Sequence, residues 1–520
     1  MPKRSSIVQM IMSSILYELE QSIIAPQDIQ QKILKYLIHN GKDSAFGKEH
    51  NFSNIHSYED FAKNIPIRDY DNIQPYIDRL RSGEHYVLWN QKVQWYAKSS
   101  GTSSDKSKFI PITKENLKGC HYKGFKTMIL SYLKDNPDSK LFSGKSMTLG
   151  GSVQFDNKNS FKYQTGDLSA ILLSNSPKIA ELIREPQKST ALISIFEEKL
   201  EKICRECSNK NITNFAGVPS WNLRMINRLL EYNNAQYLTD IWPNIELFMH
   251  GGISFEPYRE IYKQLIPKEN MNYLENYNAS EGYFAFQNDP LDNSMLLTLN
   301  NDVYYEFTPL DDLEKALSGD NSVVCNIEGV KTGVNYAMII STNAGLWRYL
   351  IEDCIEFSST FPHKIKIVGR TQQYINVFGE ELMIHTAEKA LAETCQKTGL
   401  KATEYTVAPI FMKDNDKGSH EWLIEFHTTE NEIIPQSKIE EFANILDKEI
   451  CNNNSDYEAK RSGNSTLNRL TLTTVAKGTF YQWMKSRGKI GGQNKIPRMS
   501  NSRKYIDSIL SLDHQPIDNQ

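Results

Sequence analysis

From about residue 370 the chain reads, in order, as a helix ("GEELMIHTAEKALAETCQKTG"), a strand ("EYTVAPIFM"), a second strand ("HEWLIEFHT") and a helix ("SKIEEFANILDKEICNNN"). The helical stretches carry apolar residues three and four apart, and the strands are β-branched and aromatic. This order predicts an α+β unit of about 150 residues. It constrains the rest of the fold, because 520 residues exceed what one core holds. The first ~370 residues must therefore build at least one further domain.

In that larger part, residues 1 to about 90 read as mostly helical. "EHYVLWNQKVQWYAKSS" alternates like strands leading into a loop, and helical patterns dominate from about 115 to 235, including "SPKIAELIREP" and "NLRMINRLLEYNNA". "LTLNNDVYYEFTPL" has the content of a hairpin turning near Asn300 and Asn301, and "YAMIISTNAGLWRYLIEDCIEFSST" suggests further strands.

A net charge of −4 argues against a general nucleic-acid binder, which needs a basic surface. The N-terminus "MPKRSSIVQMIMSSILYELEQSI" starts basic and apolar, but Gln9 interrupts the run and Ile7, Met10, Ile11, Ser14 and Ile15 form a helical stripe. No run approaches the ~18 apolar residues of a membrane span. Seven cysteines include one CxxC pair, Cys204 and Cys207, inside an amphipathic helical pattern without a second pair. That favours packing over metal or redox chemistry and a reducing, cytoplasmic setting.

Within "WYAKSSGTSSDKSKFIPIT", the ten residues Ser99 to Lys108 hold five serines, a threonine, a glycine and two lysines. Hydroxyls, bare backbone around a glycine and a lysine suit phosphate. The loop alone serves equally as a polar turn between two strands, since the GxxxxGK[ST] motif is absent. Two later stretches favour the phosphate reading. "FMHGGISFEPY" ends a strand-like run in Gly251 and Gly252, against whose backbone a flat ring can lie. "NYLENYNASEGYFAF" places Tyr277, Ser280 and Glu281 between strand-like residues. His250 and His363 read as structural or pocket-lining.

The order of a Ser/Thr/Gly loop, a Gly-Gly strand end, an aromatic-x-x-Ser-Glu and a later strand aspartate resembles the adenylate-forming, firefly luciferase-like superfamily. More narrowly, with "FAGVPSW", "HGGISFEPY", "YNASEG", "GLWRYLIEDC", "GRTQQYINVFGEEL" and "GGQNKIPR" in order, the chain resembles the Gretchen Hagen 3 family of acyl-acid amido synthetases in its bacterial form. The first family motif, roughly S-S-G-T-[ST]-x-G-x-x-K, falls on Ser99, Ser100, Gly101, Thr102, Ser103 and Lys108, with Asp105 at the second glycine. The second, Y-x-x-S-E, falls on Tyr277, Ser280 and Glu281. The third, Y-R-x-G-D, falls on Tyr349 to Asp353, with Leu350 at the arginine and Glu352 at the glycine.

The resemblance implies an α/β fold: a large N-terminal adenylate-forming domain of mixed sheets and helices over 1–368, and a smaller α+β C-terminal domain over 369–520 that acts as a mobile lid. It implies a ligase that uses ATP and Mg²⁺ to activate a small carboxylic acid as acyl-AMP and transfers the acyl group to an amino acid, without nucleic acid or membrane. The roles carry over residue by residue. Lys108, Glu281 and Lys495 are the catalytic candidates, with Glu281 also the metal ligand. Ser99, Ser100, Gly101, Thr102, Ser103, Gly251, Gly252, Tyr277, Ser280, Asp353 and Arg370 are the nucleotide-binding candidates. Asp353 is expected to hold the ribose hydroxyls. Asp105, Leu350 and Glu352 leave open a weakened relative that only binds nucleotide; a coenzyme A ligase is the nearer enzyme alternative.

Overall fold

The computed structural model describes residues 6–513 apart from 100–107, 159–160, 254, 256–257, 371–373, 376–379, 381, 412–416, 429–433, 462–466 and 489–495. The fold is mixed α/β and divides into two compact units. One comprises Met1–Ile253 with Ile266–Ile367, the other Ser254–Leu265 with Val368–Gln520.

The first unit opens with helices, as the periodicity predicts. In Tyr70–Arg81 the Asp69 side chain accepts from Asn72 N–H, and Ile73, Ile77 and Leu80 are buried at i, i+4 and i+7. The strands are β1 (Trp95–Ser99), β2 (Lys108–Ile112), β3 (Lys145–Thr148), β4 (Val153–Lys158), β5 (Phe161–Gly166), β6 (Arg184–Glu185), β7 (Ile212–Gly217), β8 (Leu247–His250), β9 (Asn272–Ala279), β10 (Gly282–Phe286), β11 (Met295–Leu297), β12 (Val303–Pro309), β13 (Asn335–Thr342), β14 (Tyr349–Thr360) and β15 (His363–Arg370). One sheet runs β2-β1-β5-β4. Among the described residues the other holds eleven strands in the order β12-β13-β14-β15-β11-β10-β9-β8-β7-β3-β6. Its β9-to-β6 side is parallel, and the β12-to-β11 strands pair antiparallel where their registers are defined.

The edge strand β12 is buried, because the helix Pro26–Gly41 covers it. Gln30 Nε2 donates to Leu299 and Val303 carbonyls at 2.8 and 3.0 Å, and Gln30 Oε1 accepts from Tyr305 N–H at 2.9 Å. One buried amide thus satisfies backbone groups that the sheet edge leaves unpaired.

Three local expectations are corrected. "LTLNNDVYYEFTPL" does not form a hairpin: β11 pairs with β10 and β15, and β12 pairs with β13. The turn at Asn300 and Asn301 instead carries the chain from one part of the sheet to its edge. In "SPKIAELIREP" only Lys178–Glu181 is helical, and the chain then extends into β6. Of "EHYVLWNQKVQWYAKSS" only β1 is a strand. Over 115–235 helices dominate as the pattern predicts, with the short strands β3 to β7 between them.

The second unit has the expected elements: helix Ile384–Thr398, β18 (Ala402–Ile410), β19 (Ser419–Phe426) and helix Gln436–Asn453. The short pair β16 (Tyr374–Ile375) and β17 (Leu382–Met383) precedes them, and β20 (Thr471–Val475) joins β19 in parallel. Its core includes Leu391, Val407, Trp422, Ile424, Phe442 and Leu446. Among the described residues no helix is long and apolar enough to cross a membrane. Cys204 and Cys207 are buried in helix Phe196–Cys207. Burial pushes the Cys204 thiol up to about 11 and Cys207 higher, the opposite of a reactive thiolate.

Candidate active site

Lys108 is the first residue of β2, and Ser99 is the last of β1. They face each other in the antiparallel register, so the Ser-Thr-Gly stretch between them is closed at its base. Ser100, Gly101, Thr102, Ser103 and Lys495 lie outside the described residues, as do the side chains of Ser99 and Arg370, which end β1 and β15. The Lys108 side chain is buried. Its Nζ donates to Glu352 Oε2 at 2.7 Å and stands 5.7 Å from the Tyr70 ring centroid. Tyr70 Oη in turn accepts from the N–H of Phe109, which fixes the start of β2.

Glu352 and Asp353 sit on an irregularity in β14. The register runs Ala337↔Cys354 and then Ile339↔Leu350, so Ile351, Glu352 and Asp353 together oppose Met338. Glu352 has φ +65°, the left-handed region that glycine adopts freely. Such a bulge breaks the alternation of the strand and re-aims successive side chains. Here Glu352 turns to Lys108, while Asp353 Oδ2 accepts from Tyr277 Oη at 2.5 Å. Leu350 packs with Ile67, Ala337 and Ile339 in an apolar cluster.

Tyr277 belongs to β9, four positions from β14 in the sheet order, with β15, β11 and β10 between them. A flat sheet would separate the two by about 19 Å, beyond a tyrosine's reach. The contact therefore requires the sheet to curve, drawing the two strands together at this point. Ala279 pairs with Gly282, which leaves Ser280 and Glu281 as the two-residue turn of the β9–β10 hairpin, both buried. Gly251 and Gly252 follow β8. A Cβ on Gly251 would lie 2.3 Å from the Asn276 carbonyl oxygen, and Gly252 has φ +87°. Asn276 Nδ2 also donates to the His250 carbonyl, so close packing of β8 on β9 requires the first glycine whatever binds there. His363 Nε2 lies 3.2 Å from the Ile327 carbonyl, and burial lowers its pKa.

Sequence reasoning missed two supports. The segment Leu117–Tyr122 is a π-helical turn, a form often found beside functional sites. From it Cys120 Sγ accepts from Tyr283 N–H at 3.1 Å, and His121 Nδ1 donates to Asn278 Oδ1 at 2.9 Å. Both hold the hairpin that carries Ser280 and Glu281. Burial pushes the His121 pKa down to about 4, so the ring is neutral. The second support is the ion pair of Arg348 and Glu306, both fully buried, immediately before Tyr349. An arginine one residue outside a motif carries no signal of burial in the sequence.

The first unit thus brings Lys108, Glu352, Asp353 and Tyr277 into one chain of contacts, with Ser280 and Glu281 at the end of the strand that carries Tyr277. Lysine, carboxylate and tyrosine hydroxyl gathered at the foot of a hydroxyl-rich loop define a candidate site for a phosphate-bearing ligand. Family models match along most of the chain: the GH3 family N-terminal domain over residues 15–271, the central domain over 296–370 and the C-terminal domain over 385–504. The chain belongs to the GH3 family. It is similar to the 4-substituted benzoates-glutamate ligase GH3.12 of Arabidopsis thaliana, with 23% identity over 95% of this chain and 94% of that protein. Its fold is similar to the solved structure of a GH3.15 acyl acid amido synthetase in complex with 2,4-DB, at TM-score 0.78 and 18% identity, covering 98% of this chain and 97% of the other. A 2-hydroxyisobutyryl-CoA ligase crystallised with R3-HIB-AMP shares the fold at TM-score 0.59 and 10% identity, covering 93% and 91%.

Proposed function

We propose that this GH3 chain is an acyl-acid amido synthetase: it activates a small carboxylic acid with ATP and joins the acyl group to an amino acid. The observation that carries the reading is that the three family motifs meet on the bulge of β14: Lys108 donates to Glu352, and Tyr277 donates to the adjacent Asp353. The relatives add to it, since one is named a benzoate–glutamate ligase and another an acyl acid amido synthetase.

A carboxylate oxygen attacks the α-phosphorus of ATP, the bond to the β-phosphate oxygen breaks, and pyrophosphate leaves. The amine then attacks the acyl carbon of the mixed anhydride, AMP departs, and the nitrogen loses a proton to give the amide. The first step brings two anions together, so the protein's task is positioning and charge compensation. Lys108 and the loop hydroxyls serve the phosphates. Asp353, oriented by Tyr277, accepts from the ribose hydroxyls. The Glu281 carboxylate and Ser280 hydroxyl are hard oxygen donors of the kind Mg²⁺ takes, and the ion would offset phosphate charge there. The C-terminal domain, residues 369–520 with Arg370 and Lys495, serves as a lid that closes for the chemistry. Limited proteolysis in the Arg370–Phe378 stretch is expected to slow when ATP and acid are both present; an unchanged cleavage pattern would remove the lid from the reading.

The test is pyrophosphate release from ATP across a panel of carboxylic acids, with amide formation followed when amino acids are added. Coenzyme A in place of amino acids separates the thioester alternative. Glu281→Gln is expected to slow pyrophosphate release about tenfold while changing ATP affinity less, the pattern of an interaction realised in the transition state. Release at the wild-type rate would return Glu281 to an ordinary turn residue.

A further inference from the structure

We propose that Glu352 is a built-in counter-anion for Lys108, which a phosphate of the nucleotide has to displace, so that this one residue sets how tightly the chain binds ATP. The inference rests on the nucleotide reading of the site and adds to it a determinant that the family motif, with glycine at this position, does not contain.

Three observations carry it. First, the pair is close and poorly hydrated: Nζ to Oε2 is 2.7 Å, and the two side chains are 9% and 11% exposed. At that burial water screens the pair weakly, so an anion arriving at Lys108 competes with a carboxylate already in place. Second, the backbone is wrong for glutamate. At φ +65° any side chain beyond glycine is strained, yet the bulge holds Glu352 there. The residue keeps the glycine-like conformation and uses it to deliver a carboxylate to the lysine at the foot of the loop. Third, the neighbouring residue has a different employment. Asp353 is turned to Tyr277, so the bulge separates one carboxylate for the lysine from another for the tyrosine. Displacement requires only that the ammonium exchange a carboxylate oxygen for a phosphate oxygen; no bond is made or broken.

The experiment is calorimetric titration of the full chain with Mg²⁺ and either ATP or AMP, for wild type, Glu352→Gln, Lys108→Met and the double variant. Glu352→Gln keeps the size of the side chain and removes its charge. It is expected to tighten ATP binding about tenfold or more, the scale of one poorly screened charge. AMP, which lacks the outer phosphates, should shift less than about twofold. In the Lys108→Met background the gain from Glu352→Gln should vanish. Glu352→Gly relieves the backbone strain and should match the glutamine variant, which guards against a folding defect in either one. Unchanged or weaker ATP binding by both folded variants overturns the proposal and makes Glu352 a support for Lys108. Equal gains for ATP and AMP, or a gain that persists without Lys108, overturn it as well. No binding of either nucleotide by any variant defeats the nucleotide reading itself, an outcome distinct from the others.

Discussion

Asp353→Ala is expected to weaken ATP binding by about 1–3 kcal/mol, roughly 5- to 150-fold, the range for losing a hydrogen bond to a charged group. The carboxylate is well placed for that role. It ends a bulge that frees it from the strand's alternation, and the Tyr277 hydroxyl at 2.5 Å fixes the orientation of one of its oxygens. Alanine removes the acceptor and leaves the tyrosine hydroxyl without this partner. Tyr277→Phe should move affinity in the same direction by less, because the carboxylate survives and loses only its guide. Titration calorimetry with ATP measures both, with circular dichroism confirming that each variant is folded. If Asp353→Ala binds ATP as wild type does, the ribose assignment fails and with it the pairing of the second and third motifs.

How far the sequence reaches is clearest from particular elements. Helix Ile384–Thr398 and strands β18 and β19 were legible because their signals are local: a 3.6-residue apolar period, and apolar runs bounded by glycine and polar turns. "LTLNNDVYYEFTPL" shows the limit. Its strand content and its turn are both real, but which strands pair is decided by partners far along the chain, and β12 finds β13 and Gln30 rather than β11. The site residues Tyr277 and Asp353 were legible through motif order. Their contact was not, because it depends on the curvature of an eleven-stranded sheet. Glu352 is the instructive case. The sequence marks it as an acid in a glycine position. It does not show the partner that takes up the charge, because Lys108 is 244 residues away in the chain.

Arg348→Met is expected to cost the first unit about 3–5 kcal/mol of stability, the scale for removing one member of a buried ion pair. The guanidinium is fully buried. Its Nε lies 3.0 and 3.1 Å from the two Glu306 carboxylate oxygens, and one terminal nitrogen donates to the carbonyls of Ala62 and Ile65 at 2.9 and 2.8 Å. Those carbonyls close the helix Tyr58–Asn64, where a cation is favoured by the helix dipole. Methionine fills much of the volume but supplies no donor. It strands the Glu306 carboxylate in the core with the Tyr58 hydroxyl at 3.0 Å as its remaining donor among the described residues, and it leaves the Ala62 carbonyl with Asn321 Nδ2 at 3.1 Å alone. The backbone makes the position matter for the site as well. Arg348 has φ +45°, its N–H donates to Ser341 Oγ, and its carbonyl accepts from Arg68 N–H while Leu350 N–H donates to the Arg68 carbonyl. This clamp sets where Tyr349 enters β14 and hence where the bulge with Glu352 and Asp353 falls. Denaturant unfolding should show an earlier transition for the variant, and ATP affinity should fall even where the protein remains folded. The double variant Arg348→Met, Glu306→Leu removes both charges and should regain much of the lost stability, since a buried pair is worth little beyond its apolar replacement. A single variant that unfolds with wild type, or a double variant no more stable than the single, would mean that the pair does not hold the start of β14.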